Sequence, residues 1–215
     1  MLSSHVRRSI LWVSSTLFLS SLIPCQNAFA QDAAAKSPTT KNDSGKLSSS
    51  NSSDEQKIAF AMSAAPPDVA QNATIAEMTS MSGAEAKTLR EGSNGWVCYA
   101  LPDQPMCLDK EWQKWMKAYM SKSEVKVAKT GIAYMLQGDR GASNNDPYAH
   151  GPKSGNDWVV SPAHLMILFP DPSMLDAYPT DPQSGGPWVM WKGTPYAHLM
   201  LPVSNSKKPV MQAGQ

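Results

Sequence analysis

The sequence has almost no net charge and no long apolar segment. Its 19 Lys and Arg and 18 Asp and Glu leave a formal net charge of +1. Such a balance provides no electrostatic footprint for nucleic acid, so we expect no nucleic acid partner. The longest apolar run, residues 10–23, is broken by serines and falls short of the ~20 residues that cross a bilayer. We therefore predict that the mature protein has no membrane span.

Motifs that identify a reaction are also missing. The sequence contains no H-E-x-x-H zinc motif, P-loop, dinucleotide-binding fingerprint or nucleophile elbow. Each of these motifs places a reactive or phosphate-binding group by its spacing, and residue types without such spacing do not define a reaction. We therefore favour a non-catalytic protein and assign no catalytic residue and no organic cofactor.

The sequence does have an export signal. Two arginines near the start precede the apolar run at 10–23, and the small-x-small sequence Ala-Phe-Ala ends at Ala30. This order predicts a cleavable signal peptide over residues 1–30 and a periplasmic or secreted protein. Lipidation of Cys25 stays open as an alternative, although Pro24 is a poor neighbour for it and cleavage after Ala30 removes Cys25.

Only Cys98 and Cys107 of the three cysteines remain after this cleavage. In an oxidising compartment an even pair usually forms a disulfide, and the two prolines between these cysteines can turn the chain back on itself. The C-x-x-C spacing of a redox-active dithiol is absent. We predict a structural Cys98–Cys107 disulfide that stabilises the fold by about 2–3 kcal/mol.

Composition divides the rest of the chain into three parts. Residues 31–53 are rich in Ser, Thr and Lys and contain no aromatic residue, so we expect a disordered tether that cannot bury enough apolar surface to fold. Residues 54–204 have apolar periodicity and turn signals throughout and are of a size typical of one domain. Residues 205–215 are expected to be a flexible tail.

The domain is predicted to be α+β with a mainly antiparallel sheet, because strand patterns cluster and long crossovers are scarce. The clearest element is an amphipathic helix at about 109–121, which Asp109 can cap. Its apolar stripe is interpreted as core rather than as a ligand groove, and consists of Trp112, Trp115, Met116, Tyr119 and Met120. The other predicted elements are short helices at 55–64 and 171–178, strands at 73–78, 96–101, 132–136 and 162–169, and a hairpin at 188–203.

The tetrapeptide Ala-His-Leu-Met occurs twice, ending at Met166 and at Met200. Alternate side chains of a strand share a face, so His164 would point with Met166, and His198 with Met200. If the two strands are neighbours, two imidazoles and two thioethers lie on one surface while the leucines face the core. Imidazole and thioether together suit copper, above all Cu(I). The repeat thus predicts a candidate copper site, although methionine is also ordinary core filler.

The longest predicted loop, residues 137–156, is the second candidate site. Loops of this length are uncommon in compact domains and are often functional. We expect it to form a ligand site together with a second loop at 180–187. The polar residues of interest in and beside it are Asp139, Asp146, His150 and Asp157.

The same residues allow a weaker alternative, which is a hydrolase. His150 with a neighbouring carboxylate could act as a general base. Aspartate in a Gly- and Pro-rich loop more often makes turn hydrogen bonds, however, which ranks this alternative behind the two binding hypotheses.

Four longer motifs suggest a relationship. They are NGWVC at 94–98, PMCLD at 105–109, IAYMLQG at 132–138 and SGGPWVMWKGTPYAH at 184–198. Through these motifs the chain resembles, over about residues 58–203, a family of uncharacterised exported bacterial proteins. The resemblance implies a bacterial source and a single extracytoplasmic domain, and it transfers no activity.

The leading hypothesis is therefore a non-catalytic periplasmic or secreted domain that binds a small ligand or a protein partner. The alternative is an extracytoplasmic copper-binding protein that uses His164, Met166, His198 and Met200.

Overall fold

The computed structural model describes residues 49–81, 85–203 and 209–212. The predicted signal peptide at 1–30 and residues 31–48 of the predicted tether lie outside the described residues. The helices are α1 Ser49–Met62, α2 Pro67–Ala70, α3 Lys110–Met120 and the 3-10 helices Pro172–Ala177 and Pro182–Ser184. Within the described ranges none of them has the length and apolarity that a membrane crossing requires. The strands are β1 Thr74–Glu77, β2 Lys87–Arg90, β3 Val97–Ala100, β4 Met106–Leu108, β5 Gly131–Met135, β6 Ala142–Ser143, β7 Trp158–Val160, β8 His164–Leu168, β9 Trp188–Met190, β10 His198–Pro202 and β11 Val210–Gln212.

The described strands form two sheets. Eight lie in one sheet in the order β2-β1-β3-β4-β5-β8-β10-β9, and three lie in a second in the order β11-β7-β6. Neighbouring strands are antiparallel except for β1 and β3, which are parallel. The predicted α+β domain with a mainly antiparallel sheet is confirmed.

Helix α3 forms where the sequence predicted it and covers one face of the large sheet. The Asp109 carboxylate accepts hydrogen bonds from two backbone N–H groups of the first turn, each at 2.9 Å. The Trp112 indole donates to the Met166 carbonyl of β8 at 3.1 Å. Trp112, Trp115 and Met116 are buried. The cap and the apolar stripe together hold α3 against the sheet.

The opposite face of the large sheet is covered in two places. Ala61 of α1 packs with Ile75 of β1 in one buried cluster. Leu175 of the 3-10 helix Pro172–Ala177 packs with Val189 of β9 in another. The central strands therefore lie between two covering layers.

Helix α1 begins at Ser49, so the prediction of a disordered tether is wrong for residues 49–53. The composition of this stretch gives no apolar face. Farther along the same helix, Ala61 is fully buried and Ile58 packs on the same cluster. Extending a helix that is already anchored costs less than nucleating a new one, which explains a start in a polar sequence.

The prediction of a flexible tail at 205–215 is wrong for Val210–Gln212. This segment is β11 and pairs antiparallel with β7. All three of its side chains are exposed, so backbone hydrogen bonds hold it and its residue types gave no strand signal. Residues 204–208 and 213–215 lie outside the described residues.

The predicted cysteine pair is confirmed. Cys98 in β3 lies directly opposite Cys107 in β4. The two residues are joined as a disulfide, with their Cα atoms 3.9 Å apart. Both are fully buried, on the sheet face that α1 covers.

Candidate functional site

The two Ala-His-Leu-Met segments lie side by side in the large sheet. β8 and β10 are antiparallel, with Met166 opposite Met200. His164 is paired with Pro202 at one end of this ladder, whereas His198 begins β10 at the other end. The two imidazoles therefore lie at opposite ends of one sheet face, with the methionine pair between them.

This histidine and methionine face is the more buried side of β8. His164 and Met166 are buried, while Leu165 and Ile167 are partly exposed. The leucine side also faces a core cluster, because Leu199 of β10 is buried in it and Ile167 packs against it; on β8 the histidine and methionine face is the more buried of the two. Both faces of these central strands are covered, so apolar side chains on one face do not reveal which face is deeper.

Each histidine strand has a second neighbour in the sheet, and each histidine lies opposite a methionine on that neighbour. Met135 of β5 lies opposite His164, and Met190 of β9 lies opposite His198. Directly opposed residues of antiparallel strands have Cβ atoms about 4.5–5.5 Å apart. Sequence reasoning missed both methionines because their place beside a histidine depends on strand order.

A cleft of about 700 Å³ lies between this sheet face, α3 and the 137–156 loop. Trp112, Trp115 and Met116 of α3 line it. The interpretation of the α3 stripe as core holds for these three side chains, whereas Tyr119 and Met120 are only partly buried, and all five also form one wall of the cleft. Ligand sites are typically clefts of about 300–1,000 Å³ with mainly apolar walls.

Four nearly parallel aromatic rings run along this wall. The angle between ring planes is 10° for Tyr119 and Tyr148, 4° for Tyr119 and Trp191, and 4° for Trp115 and Trp191. Tyr196 is almost perpendicular to Trp115, at 84°. These offset and edge contacts are favourable aromatic geometries, and they make the wall rigid.

Trp191 reaches the cleft through an unusual backbone conformation. It follows β9 with a φ of +57°, which is costly for a bulky residue. Its backbone N–H donates to the Asn144 carbonyl at 2.8 Å. Its indole donates to the Ser143 carbonyl at 2.6 Å. The 137–156 loop thus compensates for the strain and fixes the ring in place.

His198 lies in a nearly closed aromatic cage. Its ring centroid is 5.3 Å from Trp112, 5.7 Å from Trp115 and 5.1 Å from Trp191. Its Nδ1 is 3.0 Å from the Tyr196 carbonyl, which requires the proton on Nδ1 and leaves a lone pair on Nε2. Burial lowers the pKa of His198 to about 4, so the ring is neutral at physiological pH.

His164 has the same local hydrogen bond but a different neighbour. Its Nδ1 lies 2.7 Å from the Pro162 carbonyl, and its Nε2 is 4.0 Å from Oδ2 of Asp139. Oδ1 of Asp139 accepts hydrogen bonds from the backbone of Gly141 and Ser161, at 2.9 and 2.8 Å. Burial lowers the pKa of His164 and raises the pKa of Asp139. The pair is a polar part of a cleft whose walls are mainly apolar.

The remaining polar loop residues do not form a centre around His150. Asp146 and His150 are exposed at the mouth of the cleft, and Oδ1 of Asp146 accepts from the Tyr148 N–H at 2.9 Å. Asp157 lies outside the lining, where its Oδ2 accepts from the Asn145 amide at 3.1 Å. Among the described residues no hydrogen bond or ion pair joins His150 to any of the three acids.

The loop at 180–187 lies beside the 137–156 loop but contributes no side chain to the described lining of the cleft. Its Thr180 carbonyl accepts from the Asn144 amide at 2.9 Å. Gln183 donates to the Pro209 carbonyl at 2.7 Å. The first of these contacts supports the 137–156 loop from outside the cleft.

Three buried side-chain nitrogens in the described part of the chain have no hydrogen-bond partner within the protein. They are Nε1 of Trp115 and the Nε2 atoms of His164 and His198. All three residues line the cleft. Buried polar atoms are normally hydrogen-bonded, so these three nitrogens are exceptions; a fourth such atom in the described residues, Oγ of Ser161, is outside the cleft lining.

Among the described residues, the cleft has no cluster of the side chains that most often bind metal ions in proteins. In the ranges that the structure describes, no three His, Cys, Asp or Glu side chains are grouped so that they could hold a metal ion. Comparison with family models, with curated proteins and with solved structures found no match for this chain.

Proposed function

We propose that this protein is an exported, non-catalytic binding domain, periplasmic or secreted, that holds a small ligand in the cleft between the large sheet and α3. The observation that carries the proposal is the set of three unpartnered buried nitrogens on the cleft wall. Leaving a buried polar group unsatisfied costs about 1–3 kcal/mol. A ligand bound in the cleft would offset this cost.

The shape and rigidity of the cleft support binding. Its volume of about 700 Å³ is that of a small-molecule site. Stacked rings on α3 and the anchored Trp191 form the site before a ligand arrives. A preformed site avoids the ordering entropy that a flexible site loses on binding.

Export is supported by features outside and inside the domain. The sequence of residues 1–30 has the three zones of a cleavable signal peptide. The Cys98–Cys107 disulfide suits an oxidising compartment. We therefore place the binding site outside the cytoplasm.

The hydrolase alternative lacks a supporting contact. His150 is exposed and Asp139 instead faces His164. A general base must lie within hydrogen-bond reach of its partner groups, and His150 makes no such contact to Asp139, Asp146 or Asp157 in the described structure.

The proposal is tested by nuclear magnetic resonance of the tryptophan indole N–H groups in the purified protein. Benzene, indole, Cu(I) and Zn(II) are titrated separately, since an apolar cavity of this kind accepts small aromatic molecules. We expect at least one probe to shift the indole signals of Trp112 and Trp115 saturably. Trp96, which packs on Tyr134 on the other sheet face, is the internal control and should not shift. If no probe gives a saturable shift, or if Trp96 responds equally, the cleft is not a ligand site.

A further inference from the structure

We propose that the cleft binds one Cu(I) ion at its His198 end, held by Nε2 of His198 and the thioether sulfurs of Met190 and Met200. This inference rests on the proposed function, because it names the partner of one of the three nitrogens in the same cleft, Nε2 of His198. It differs from a four-ligand cluster of the two repeated segments, because strand order selects Met190 and sets His164 apart.

The sheet places these three side chains as neighbours on the face that α3 covers. Met190 is directly opposite His198 in the β9–β10 pair. Met200 is two residues after His198 and therefore lies on the same face. Both methionines are buried and line the cleft. Thioether side chains are long and flexible enough to converge on an ion beside the imidazole.

A hydrogen bond to the backbone orients the His198 imidazole as a metal ligand. Nδ1 of His198 is 3.0 Å from the Tyr196 carbonyl, which fixes the tautomer and the ring orientation. The same second contact is a regular feature of histidines that bind metals. Nε2 is buried without a partner, so its lone pair is free to bind the ion.

The ligand set and its surroundings select a soft, singly charged ion. Imidazole and thioether ligands favour Cu(I), whereas Mg²⁺ and Ca²⁺ require several oxygen ligands. The described lining has two carboxylates: Asp146 is exposed, and Asp139, whose side chain is 10% exposed, is at the other end, beside His164. The three indole rings around His198 keep water from the site. Low charge, soft donors and exclusion of water together suit Cu(I) better than a divalent ion.

The test is an anaerobic titration of the purified protein with Cu(I), in competition with the chromophoric chelator bicinchoninate. Ascorbate is the reductant, so that the Cys98–Cys107 disulfide stays intact. We expect one Cu(I) per chain and quenching of tryptophan fluorescence, because Trp112, Trp115 and Trp191 surround the ligand. Zn(II) should not compete.

His198→Ala and three methionine-to-leucine variants locate the site, and His164→Ala tests the other end of the cleft. His198→Ala should weaken Cu(I) binding by about 100-fold, and Met190→Leu or Met200→Leu by about tenfold each, since removing a ligand costs at least as much as removing an outer-shell partner. Methionine-to-leucine changes conserve volume, so these variants test the site even if His198→Ala does not fold. Met174→Leu is the matched control, because Met174 is half exposed on another element, and it should bind Cu(I) like the original protein.

Three results overturn the inference: no Cu(I) binding by the unchanged protein, unchanged affinity in both cleft leucine variants, or a loss in His164→Ala as large as that in His198→Ala. If Cu(I) fails but benzene or indole still shifts the Trp112 signal, only the copper assignment is wrong. If all probes fail, the binding function itself is wrong.

Discussion

At the scale of single residues, two histidines with the same local geometry acquire different chemistry. Each bonds through Nδ1 to the carbonyl two residues before it, at 2.7 Å for His164 and 3.0 Å for His198. Around His164 the nearest charged group is the Asp139 carboxyl. Around His198 there are three indole rings. The surroundings, rather than the side chain, decide that one end of the cleft is polar and the other apolar.

The first prediction concerns the pH dependence of stability through His198. The pKa of this residue is lowered from 6.5 to about 4 in the folded protein. As the pH falls below 6.5, His198 binds a proton in the unfolded chain but not in the folded protein. The free energy of unfolding is therefore highest above pH 6.5 and decreases until the pH reaches about 4. The loss from this group is about 3 kcal/mol.

Metal-free protein and its His198→Gln variant are compared by denaturant unfolding between pH 7 and pH 4. We expect the original protein to lose about 3 kcal/mol more than the variant over this range, because glutamine does not titrate. The other titrating groups are common to both proteins and cancel. Parallel stability curves would contradict the buried, neutral state of His198.

At the scale of elements, α3 positions the cleft through its first turn. Oδ1 of Asp109 caps the helix, while Oδ2 accepts the Ile132 N–H of β5 at 2.7 Å. One carboxylate thus joins the helix to the sheet strand beside it. Trp112 adds a second connection, to the Met166 carbonyl of β8. These few hydrogen bonds fix the position of the cleft wall.

The second prediction tests this junction. Asp109→Ala removes both the cap and the bond to Ile132, and we expect a loss of about 2–3 kcal/mol in the free energy of unfolding. Asp109→Asn keeps an oxygen for the cap but has no second acceptor for Ile132, so its loss should be about half as large. Urea unfolding followed by circular dichroism measures both.

Asp171→Ala is the control for the cap alone. Asp171 caps the 3-10 helix Pro172–Ala177 through the Ser173 N–H at 2.9 Å, on an exposed surface. Its loss should stay below about 1 kcal/mol. An equal loss in Asp109→Ala and Asp171→Ala would mean that the bond to β5 adds nothing.

At the scale of the whole domain, the large sheet separates a stabilising face from a binding face. The Cys98–Cys107 disulfide packs with Ala61 and Ile75 under α1. The cleft lies on the other face, under α3. Stability and binding can therefore be perturbed separately.

The third prediction uses this separation. Replacing Cys98 and Cys107 together by alanine should lower the free energy of unfolding by about 2–3 kcal/mol, because the unfolded chain gains the freedom that the closed loop removed. The indole resonances of Trp112 and Trp115 should keep their positions in the folded variant. Large shifts of these signals, or unchanged stability, would refute the assignment of the two faces.

Several elements were predictable because their signals are local. The α3 stripe repeats with helical spacing and Asp109 stands directly before it. The strands β3, β5, β8 and β10 carry apolar runs bounded by turns. The cysteine pairing followed from the count of cysteines outside the predicted signal peptide. The strand β11 was missed because all of its side chains are exposed and backbone pairing holds it. The strand β2 was missed because Leu89 is the one apolar side chain by which it packs on the cluster under α1.

The sequence by itself determined the main helix, the class of fold, the cysteine pair and the presence of histidine and methionine at alternate strand positions. Tertiary structure decided which of these side chains meet. His198 lies beside Met190 and His164 beside Met135 only because β10 pairs with β9 and β8 with β5. Strand order and register depend on contacts between distant segments, and no local pattern encodes them. For the same reason the α3 stripe could be identified as apolar but not as the wall of a cleft.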